Sequence, residues 1–140
     1  KVWYNRVVSE LEKVLLILSL SNRHENWTVK DIQRLVIPPL KLNQYRIYID
    51  EEVPLCYASW AMLPKEAEEG YKNKTRKIQP KDWDSGNNLW LVDVICPFGG
   101  TRSAIKRLDT LRKELGLPDK VNFYRGKRLG SNRVNNVTRI

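Results

Sequence analysis

The residue best suited to acid–base chemistry near neutral pH is His24, the only histidine of the 140-residue chain. It lies in a polar stretch, with Ser21 three residues before it and Trp27 three residues after it. Because imidazole titrates near physiological pH, any proton transfer by an imidazole in this chain has to use this residue. A solvent-exposed loop histidine is an equally open interpretation of the same position.

The second candidate is Asp93, the one acid inside the apolar run 89–96. A buried carboxylate is costly unless it is paired or hydrogen-bonded, so Asp93 needs a partner elsewhere in the chain. A buried acid that orients an imidazole and stabilises its protonated form recurs in general-base catalysis, and His24 is the histidine available. A structural acid that caps a turn or neutralises a buried arginine is the alternative.

The same apolar run leads into a glycine turn that could bind an anion. Gly99 and Gly100 precede Thr101 and Arg102, close to the predicted start of a helix. Free backbone N–H groups and the helix dipole favour an anion such as phosphate there, and Arg102 adds a positive charge. A Gly-Gly turn between a strand and a helix is also ordinary geometry, and neither a P-loop nor a full dinucleotide fingerprint is present.

Composition narrows the classes of partner. Twenty-five Lys and Arg against 16 Asp and Glu give a formal charge of +9, which favours an acidic protein, a phosphate-bearing ligand, an anionic membrane surface or nucleic acid.

Cys56 and Cys96 lie in apolar runs, and one histidine cannot complete a four-ligand Cys/His zinc site, so we expect no metal, reduced thiols and an intracellular protein. The apolar run 14–18 is too short to span a bilayer, so we expect no stable membrane insertion. Lys and Arg interleave poorly with aromatic residues, which disfavours nucleic acid.

Hydrophobic periodicity predicts a mixed α/β (α+β) fold in a single domain over 1–140. Helical spacing predicts a helix over 2–20 and a second one that begins at Thr28 and stops at Pro38-Pro39. Alternation predicts a β-hairpin from 44–50 and 55–62. The other predicted elements are a short helix in 64–74, a polar loop at 78–88, a strand at 89–96, a helix at 103–115, a strand at 121–124 and an Asn-rich end at 130–140 without a clear period. This order predicts a strand–helix–strand crossover after Cys96.

Five short blocks of the sequence, taken together, resemble a known family. They are Ser21-x-x-His24-x-x-Trp27, Asn43-Gln44-Tyr45, Pro54-x-x-Tyr57-x-Ser59-Trp60-Ala61, Asp82-Trp83-x-Ser85-Gly86 and Trp90-x-x-Asp93-x-Ile95-x-Pro97-Phe98-Gly99. In this order and near this spacing, the blocks resemble the RTX-toxin-activating lysine acyltransferases, the haemolysin-activating family, over about 18–126. The chain departs from the family pattern at Glu25, Val94 and Cys96, and 130–140 is interpreted as a diverged or truncated C-terminal tail.

The resemblance implies a fold similar to the Gcn5-related N-acetyltransferases, with a mixed sheet flanked by helices. It also implies a cytoplasmic bacterial enzyme without a bound cofactor. Such an enzyme moves a fatty acyl group from the phosphopantetheine thioester of acyl-carrier protein to internal lysine ε-amines of an RTX protoxin, and it is often a homodimer. The family's essential histidine and aspartate fall on His24 and Asp93, and a serine of lesser importance falls on Ser21.

A mechanism consistent with both lines of reasoning is direct attack by the lysine amine, with His24 as general base oriented by Asp93. The turn from Gly99 to Arg102 would then face the acyl donor. Ser21, Ser59 and Cys96 are conceivable nucleophiles, but none lies in a Gly-x-Ser-x-Gly elbow, so an acyl-enzyme is less favoured. An acyl-CoA-dependent N-acyltransferase acting on another amine and a small basic nucleic-acid-binding module stay open as alternatives.

Overall fold

A computed structural model of the chain describes residues 2–124 and 134–138. Within these ranges the helices are α1 Val2–Ser19, α2 Val29–Leu35, α3 Ile37–Leu42, α4 Lys65–Lys72 and α5 Thr101–Glu114, with short 3₁₀ helices at Asn22–His24 and Pro80–Asp82. The strands are β1 Tyr45–Asp50, β2 Val53–Leu63, β3 Asn88–Ile95, β4 Val121–Tyr124 and β5 Val134–Thr138. No helix of the described part is long and apolar enough to cross a lipid bilayer.

The five strands form one mixed sheet in the order β1-β2-β3-β4-β5. β3 and β4 are parallel, whereas the other three neighbouring pairs are antiparallel. The parallel pair follows from the crossover through α5, which begins soon after Cys96, as predicted. The predicted fold class, a mixed sheet flanked by helices, is confirmed, and it is compatible with the Gcn5-related N-acetyltransferase architecture.

Local sequence signals explain where α2 begins but not where the helical region ends. The backbone N–H of Asp31 donates to Thr28 Oγ1 at 3.2 Å, and the Thr28 N–H donates to Asp31 Oδ2 at 2.8 Å, which together form a capping box at the predicted helix start. The prediction that Pro38-Pro39 stops the helical region is wrong, because both prolines lie in the first turn of α3. Proline fits that turn since its missing N–H would have no helical acceptor there.

The predicted hairpin of β1 and β2 is confirmed. Its two-residue turn places Glu51 at φ 47° and Glu52 at φ 68°, the positive values that a tight turn between twisted antiparallel strands requires. At the other end of the chain, where the sequence showed no clear period, 134–138 form β5, which pairs with β4. The basic segment 125–128 lies outside the described residues.

The core is built on both faces of the sheet. On one face, α1 and α3 pack on the sheet through Val14, Ile17 and Leu40, which contact Tyr57 of β2 and Ile95 of β3. On the other face, α5 packs through a cluster that is made of Ala58, Trp60, Leu89, Leu91, Leu108 and Val121. A third cluster contains the fully buried Trp83 and Trp90. The two faces therefore bury different residues of the same two strands.

Candidate active site

His24 is held at the end of a short 3₁₀ helix that follows α1. Its backbone N–H donates to the carbonyl of Ser21 at 3.0 Å, and its carbonyl accepts from Trp27 at 3.1 Å. The Ser21 hydroxyl lies 2.6 Å from Nδ1 of the His24 ring. The Trp27 ring meets the imidazole edge-on, with the ring centroids 4.8 Å apart. Because Nδ1 is engaged by Ser21, Nε2 is the ring nitrogen left to exchange a proton with a substrate.

The surroundings of His24 keep its imidazole neutral. Burial, assisted by the positive charge of neighbouring Arg23, lowers the pKa of His24 from 6.5 to about 4. At neutral pH the ring is therefore unprotonated and able to accept a proton. A base of such low pKa is weak, so an anionic partner that raises the pKa would make it more effective.

A β-bulge in β3 decides which way Asp93 faces. Ser59 of β2 pairs with Asp93, whereas the next residue, Trp60, pairs with Leu91, so Val92 is an extra residue in β3. Strict alternation would place Asp93 on the face of Leu91, which packs against α5. The extra residue instead places it on the face of Ile95, which packs against α1 and α3.

Three polar groups that face this side of the sheet are buried and have no hydrogen-bond partner among residues 2–124 and 134–138. They are the Tyr57 hydroxyl, the Ser59 hydroxyl and Oδ2 of Asp93. The Tyr57 hydroxyl lies close to that of Ser59, but the two do not complete a well-formed hydrogen bond. Unsatisfied polar groups are rare in protein interiors because each costs about 1–3 kcal/mol. Three such groups in adjoining positions of two strands make this cluster a candidate site.

Burial dominates the electrostatics of the cluster. It raises the pKa of Asp93 from 3.8 to about 7, although the positive charges of Arg23 and Arg34 act in the opposite direction. Burial, and next the negative charge of Asp93, also raise the pKa of Tyr57. Near neutral pH the Asp93 carboxyl group is thus balanced between its two protonation states.

The structure brings His24 and Asp93 to the same side of the sheet but does not join them. Trp27, which contacts the imidazole, packs against the core cluster that contains Tyr57 and Ile95. Among the described residues, no hydrogen bond or ion pair connects His24 with Asp93. Arg23 is the residue whose charge lowers the pKa of both groups, so it lies within electrostatic range of each. The direct pairing of His24 with Asp93 stays a prediction.

The glycine turn after β3 is open to solvent. Gly99 has φ 92° and Gly100 has φ 87°, and a Cβ at either position would meet no atom within 4 Å. Gly100 occupies the N-cap of α5 without a side-chain cap, and no acid lies in the first helical turn. Thr101 and Arg102 are exposed in that turn. The geometry leaves backbone N–H groups of the helix N-terminus accessible, but nothing in it identifies an acyl donor.

Two cavities lie apart from the predicted site residues. The larger, about 320 Å³, lies at the β1 edge, and its lining includes Tyr45, Arg46, Trp60, Leu111 and Leu115. The other lies under α5 and has a volume of about 30 Å³, which is room for little more than a water molecule. Neither is lined by Asp93 or His24, so neither is assigned to the reaction.

Sequence reasoning missed Tyr57 and Arg34 and considered Ser59 only as a nucleophile. The sequence did contain a signal for Tyr57 and Ser59, because two residues that are two positions apart in a strand share a face. Their position opposite Asp93 depends on strand register, which the sequence does not reveal. Arg34 reaches the region from α2, and its guanidinium also donates to the Ile78 carbonyl at 3.2 Å.

The family model and the individual relatives that match this chain belong to the same protein family. The family model of HlyC, described as the RTX toxin acyltransferase family, matches residues 5–138. The RTX-II toxin-activating lysine-acyltransferase ApxIIC of Actinobacillus pleuropneumoniae is 33% identical over 98 residues, 70% of this chain and 61% of that protein. Leukotoxin-activating lysine-acyltransferase LktC serotype A1 of Mannheimia haemolytica is 31% identical over 123 residues, 78% of this chain and 72% of that protein.

A further relative is the protein-lysine myristoyltransferase HlyC of Escherichia coli. It is 33% identical over 102 residues, which are 73% of this chain and 60% of that protein. The chain thus spans about three-fifths of the length of ApxIIC and of this HlyC.

Proposed function

The chain belongs to the RTX toxin acyltransferase family, and from this premise we propose that it is a protein-lysine acyltransferase that modifies an RTX protoxin. The names of its relatives, which are toxin-activating lysine acyltransferases and protein-lysine myristoyltransferases, support this reaction class. The structural observation that supports it most is the buried, unsatisfied Oδ2 of Asp93, on the side of the sheet that carries the His24 loop. A group that costs stability is retained where it has a use in the reaction.

In the proposed mechanism, Nε2 of His24 removes a proton from the lysine ammonium as the amine attacks the thioester carbonyl. For Nε2 to accept this proton, Nδ1 must carry the ring hydrogen and donate it to the Ser21 hydroxyl, 2.6 Å away. A C–N bond forms, the C–S bond then breaks, and the second proton of the attacking nitrogen passes to the departing sulfur, which leaves as a thiol, while the imidazolium releases the first proton to solvent. No covalent intermediate on the protein is required.

Asp93 has the role of stabilising the imidazolium that forms during this transfer. Its negative charge would raise the pKa of His24 from the low value that burial imposes, which makes the base stronger. We propose that substrate binding brings the His24 loop and Asp93 closer, and that the Tyr57 and Ser59 hydroxyls then donate to the Asp93 carboxylate. These donors would keep the carboxyl group ionised at neutral pH despite its burial.

The proposed donor is acyl-carrier protein, which would dock beside the glycine turn. Arg102, Lys106 and Arg107 are exposed on the first two turns of α5, directly after Gly99 and Gly100. A basic helix face attracts an acidic carrier protein, and the free N–H groups of the helix N-terminus suit the phosphate of its phosphopantetheine arm. The turn follows directly after the end of β3 that carries Asp93, so a docked donor would approach the site beside Asp93.

The test is acylation by purified components. The chain is incubated with fatty-acyl carrier protein and a protoxin fragment, and lysine acylation is measured by mass spectrometry. We expect His24→Ala to lose activity by roughly 100-fold or more. Asn22→Ala, an exposed change in the same 3₁₀ helix, is the matched control and should keep activity. Activity of His24→Ala equal to that of the unchanged chain would refute the assigned base, and acylation from acyl-CoA alone would refute the assigned donor.

A further inference from the structure

The two cysteines of the chain, which the proposed mechanism does not use, face each other across the sheet. The β2–β3 ladder places Tyr57 opposite Ile95, and one more step along this antiparallel register brings Cys56 opposite Cys96. Both cysteines are free. The Cys96 side chain is among the groups that raise the pKa of Cys56, so the two thiols lie within interaction range of each other.

The backbone geometry of such a pair suits a disulfide. Residues directly opposite in antiparallel strands have Cα atoms about 4.5–5.5 Å apart. Disulfides span Cα separations of about 4.4–6.8 Å, so a crosslink at this position needs side-chain rotation but little movement of the strands. The pair lies where β3 gives way to a turn in which the Gly99 N–H donates to the Cys96 carbonyl at 3.0 Å.

The two thiols differ in exposure. Cys56 is buried within the sheet, whereas Cys96 is half-buried at the end of β3. Burial raises the pKa of Cys56 to about 12, so this thiol is unreactive toward external reagents by itself. The positive charge of Arg107, which also lies over the Tyr48 ring at 5.5 Å, offsets only a part of this rise in the pKa of Cys56. Among the two, Cys96 is the sulfur that an oxidant in solution can reach first.

We propose that Cys56 and Cys96 form a redox modification site, which a low-molecular-weight disulfide converts to an intramolecular disulfide. The Cys96 thiolate attacks the oxidant RSSR, which releases one RSH and leaves Cys96 as a mixed disulfide. Cys56 then loses its proton and attacks the Cys96 sulfur, which releases the second RSH. Two thiols are oxidised, one external disulfide is reduced, and excess thiol reverses both steps. The crosslink ties the turn before Gly99 to β2.

The test is a redox titration of the purified chain in glutathione buffers. Samples equilibrated over a series of ratios of reduced to oxidised glutathione are quenched with an alkylating reagent, then analysed by intact mass and peptide mapping. We expect a species that lacks two hydrogen atoms, resists alkylation and yields a Cys56–Cys96 crosslinked peptide. Adding excess reduced glutathione should restore both alkylatable thiols.

Single-cysteine variants provide the controls. Cys56→Ala should accumulate a glutathione adduct on Cys96, because the second thiol is gone. Cys96→Ala should leave Cys56 unmodified in the folded chain, and circular dichroism checks that each variant is folded. The proposal is overturned if both thiols of the unchanged chain stay alkylatable in the most oxidising buffer. A stable Cys96–glutathione adduct in the unchanged chain, or a disulfide between two chains, overturns it equally. The redox titration does not measure acyl transfer, so its result tests the disulfide proposal independently of the proposed function.

Discussion

Ser59 and Asp93 are direct cross-strand partners in the centre of the sheet, and neither the Ser59 hydroxyl nor Oδ2 of Asp93 has a hydrogen-bond partner among the described residues. An arrangement optimised for stability alone would pair these groups or replace them with apolar ones. The Tyr57 hydroxyl adds a third unsatisfied group on the same face. The site is therefore expected to trade stability for function, which mutation can reveal.

Replacing Asp93 should separate stability from activity. Between pH 3.8, where an ordinary aspartate ionises, and about 7, the folded chain keeps a proton on Asp93 that the unfolded chain loses. The free energy of unfolding therefore falls as the pH rises through this window. Asp93→Asn has no group to titrate at this position, so above about pH 7 its free energy of unfolding should exceed that of the unchanged chain by on the order of 1–3 kcal/mol. Acyl transfer by the same variant should be nearly lost. Urea unfolding across pH measures the first effect, and equal pH dependence in both proteins would contradict it.

The contribution of His24 to stability depends on pH in the opposite direction to that of Asp93. Because the pKa of His24 is lowered from 6.5 to about 4, the unfolded chain binds a proton in this window that the folded chain does not. The stability that depends on neutral His24 is present above pH 6.5 and is lost as the pH falls toward about 4. His24→Ala should show a weaker loss of stability on acidification, measured by the thermal midpoint at a series of pH values. An unchanged acid response would show that the imidazole is not desolvated as the structure indicates.

Ser21 should act through the histidine rather than on the substrate. Ser21→Ala removes the group that holds Nδ1 of His24, so the imidazole can rotate or take the wrong tautomer. We expect kcat to fall by roughly tenfold with KM for the carrier protein nearly unchanged. Ser19→Ala, whose exposed hydroxyl bonds only the Leu16 carbonyl, is the matched control. A change in KM without a change in kcat would contradict a positioning role.

The Tyr57 hydroxyl is expected to affect the pH profile of the reaction more than the stability of the fold. Tyr57→Phe removes a buried, unpaired group, so the free energy of unfolding should stay the same or rise. If this hydroxyl donates to the Asp93 carboxylate in the reacting complex, its loss raises the pKa of Asp93 there. The acidic limb of the pH profile of kcat should then move to higher pH. Tyr45→Phe, in the same core, is the control, and coincident profiles for Tyr57→Phe and the unchanged chain would exclude this role.

Charge reversal at the start of α5 should weaken the proposed donor without harming chemistry. Arg102→Glu and Lys106→Glu place negative charges where an acidic carrier protein would dock, so KM for the acylated carrier should rise several-fold at low salt while kcat changes little. Higher salt should shrink the difference. Lys81→Glu makes the same charge change at an exposed site near Trp83 and should leave KM unaltered. A similar rise in KM for Lys81→Glu would indicate a general charge effect.

Part of this fold could be predicted from the sequence alone. Apolar periodicity and capping chemistry located α1, α2 and the β1–β2 hairpin, because those signals act between residues close in the chain. The five sequence blocks indicated the family and drew attention to His24 and Asp93. The boundary at Pro38-Pro39 was wrongly predicted and the strand β5 was not predicted, since a first-turn proline and a strand pairing both depend on context that local patterns do not contain.

Only the tertiary structure decided the direction of Asp93. Read as a regular strand, 89–96 places Asp93 with Leu91 on the α5 face, but the extra residue Val92 turns it toward Tyr57 and Ser59. The same register, extended by one step beyond Tyr57 and Ile95, brings Cys56 opposite Cys96, 40 positions away in the chain. Register and bulges are set by packing between distant segments, so a shift of one residue moves every side chain beyond it to the other face. The residue types were readable from the sequence, and the face on which they meet was not.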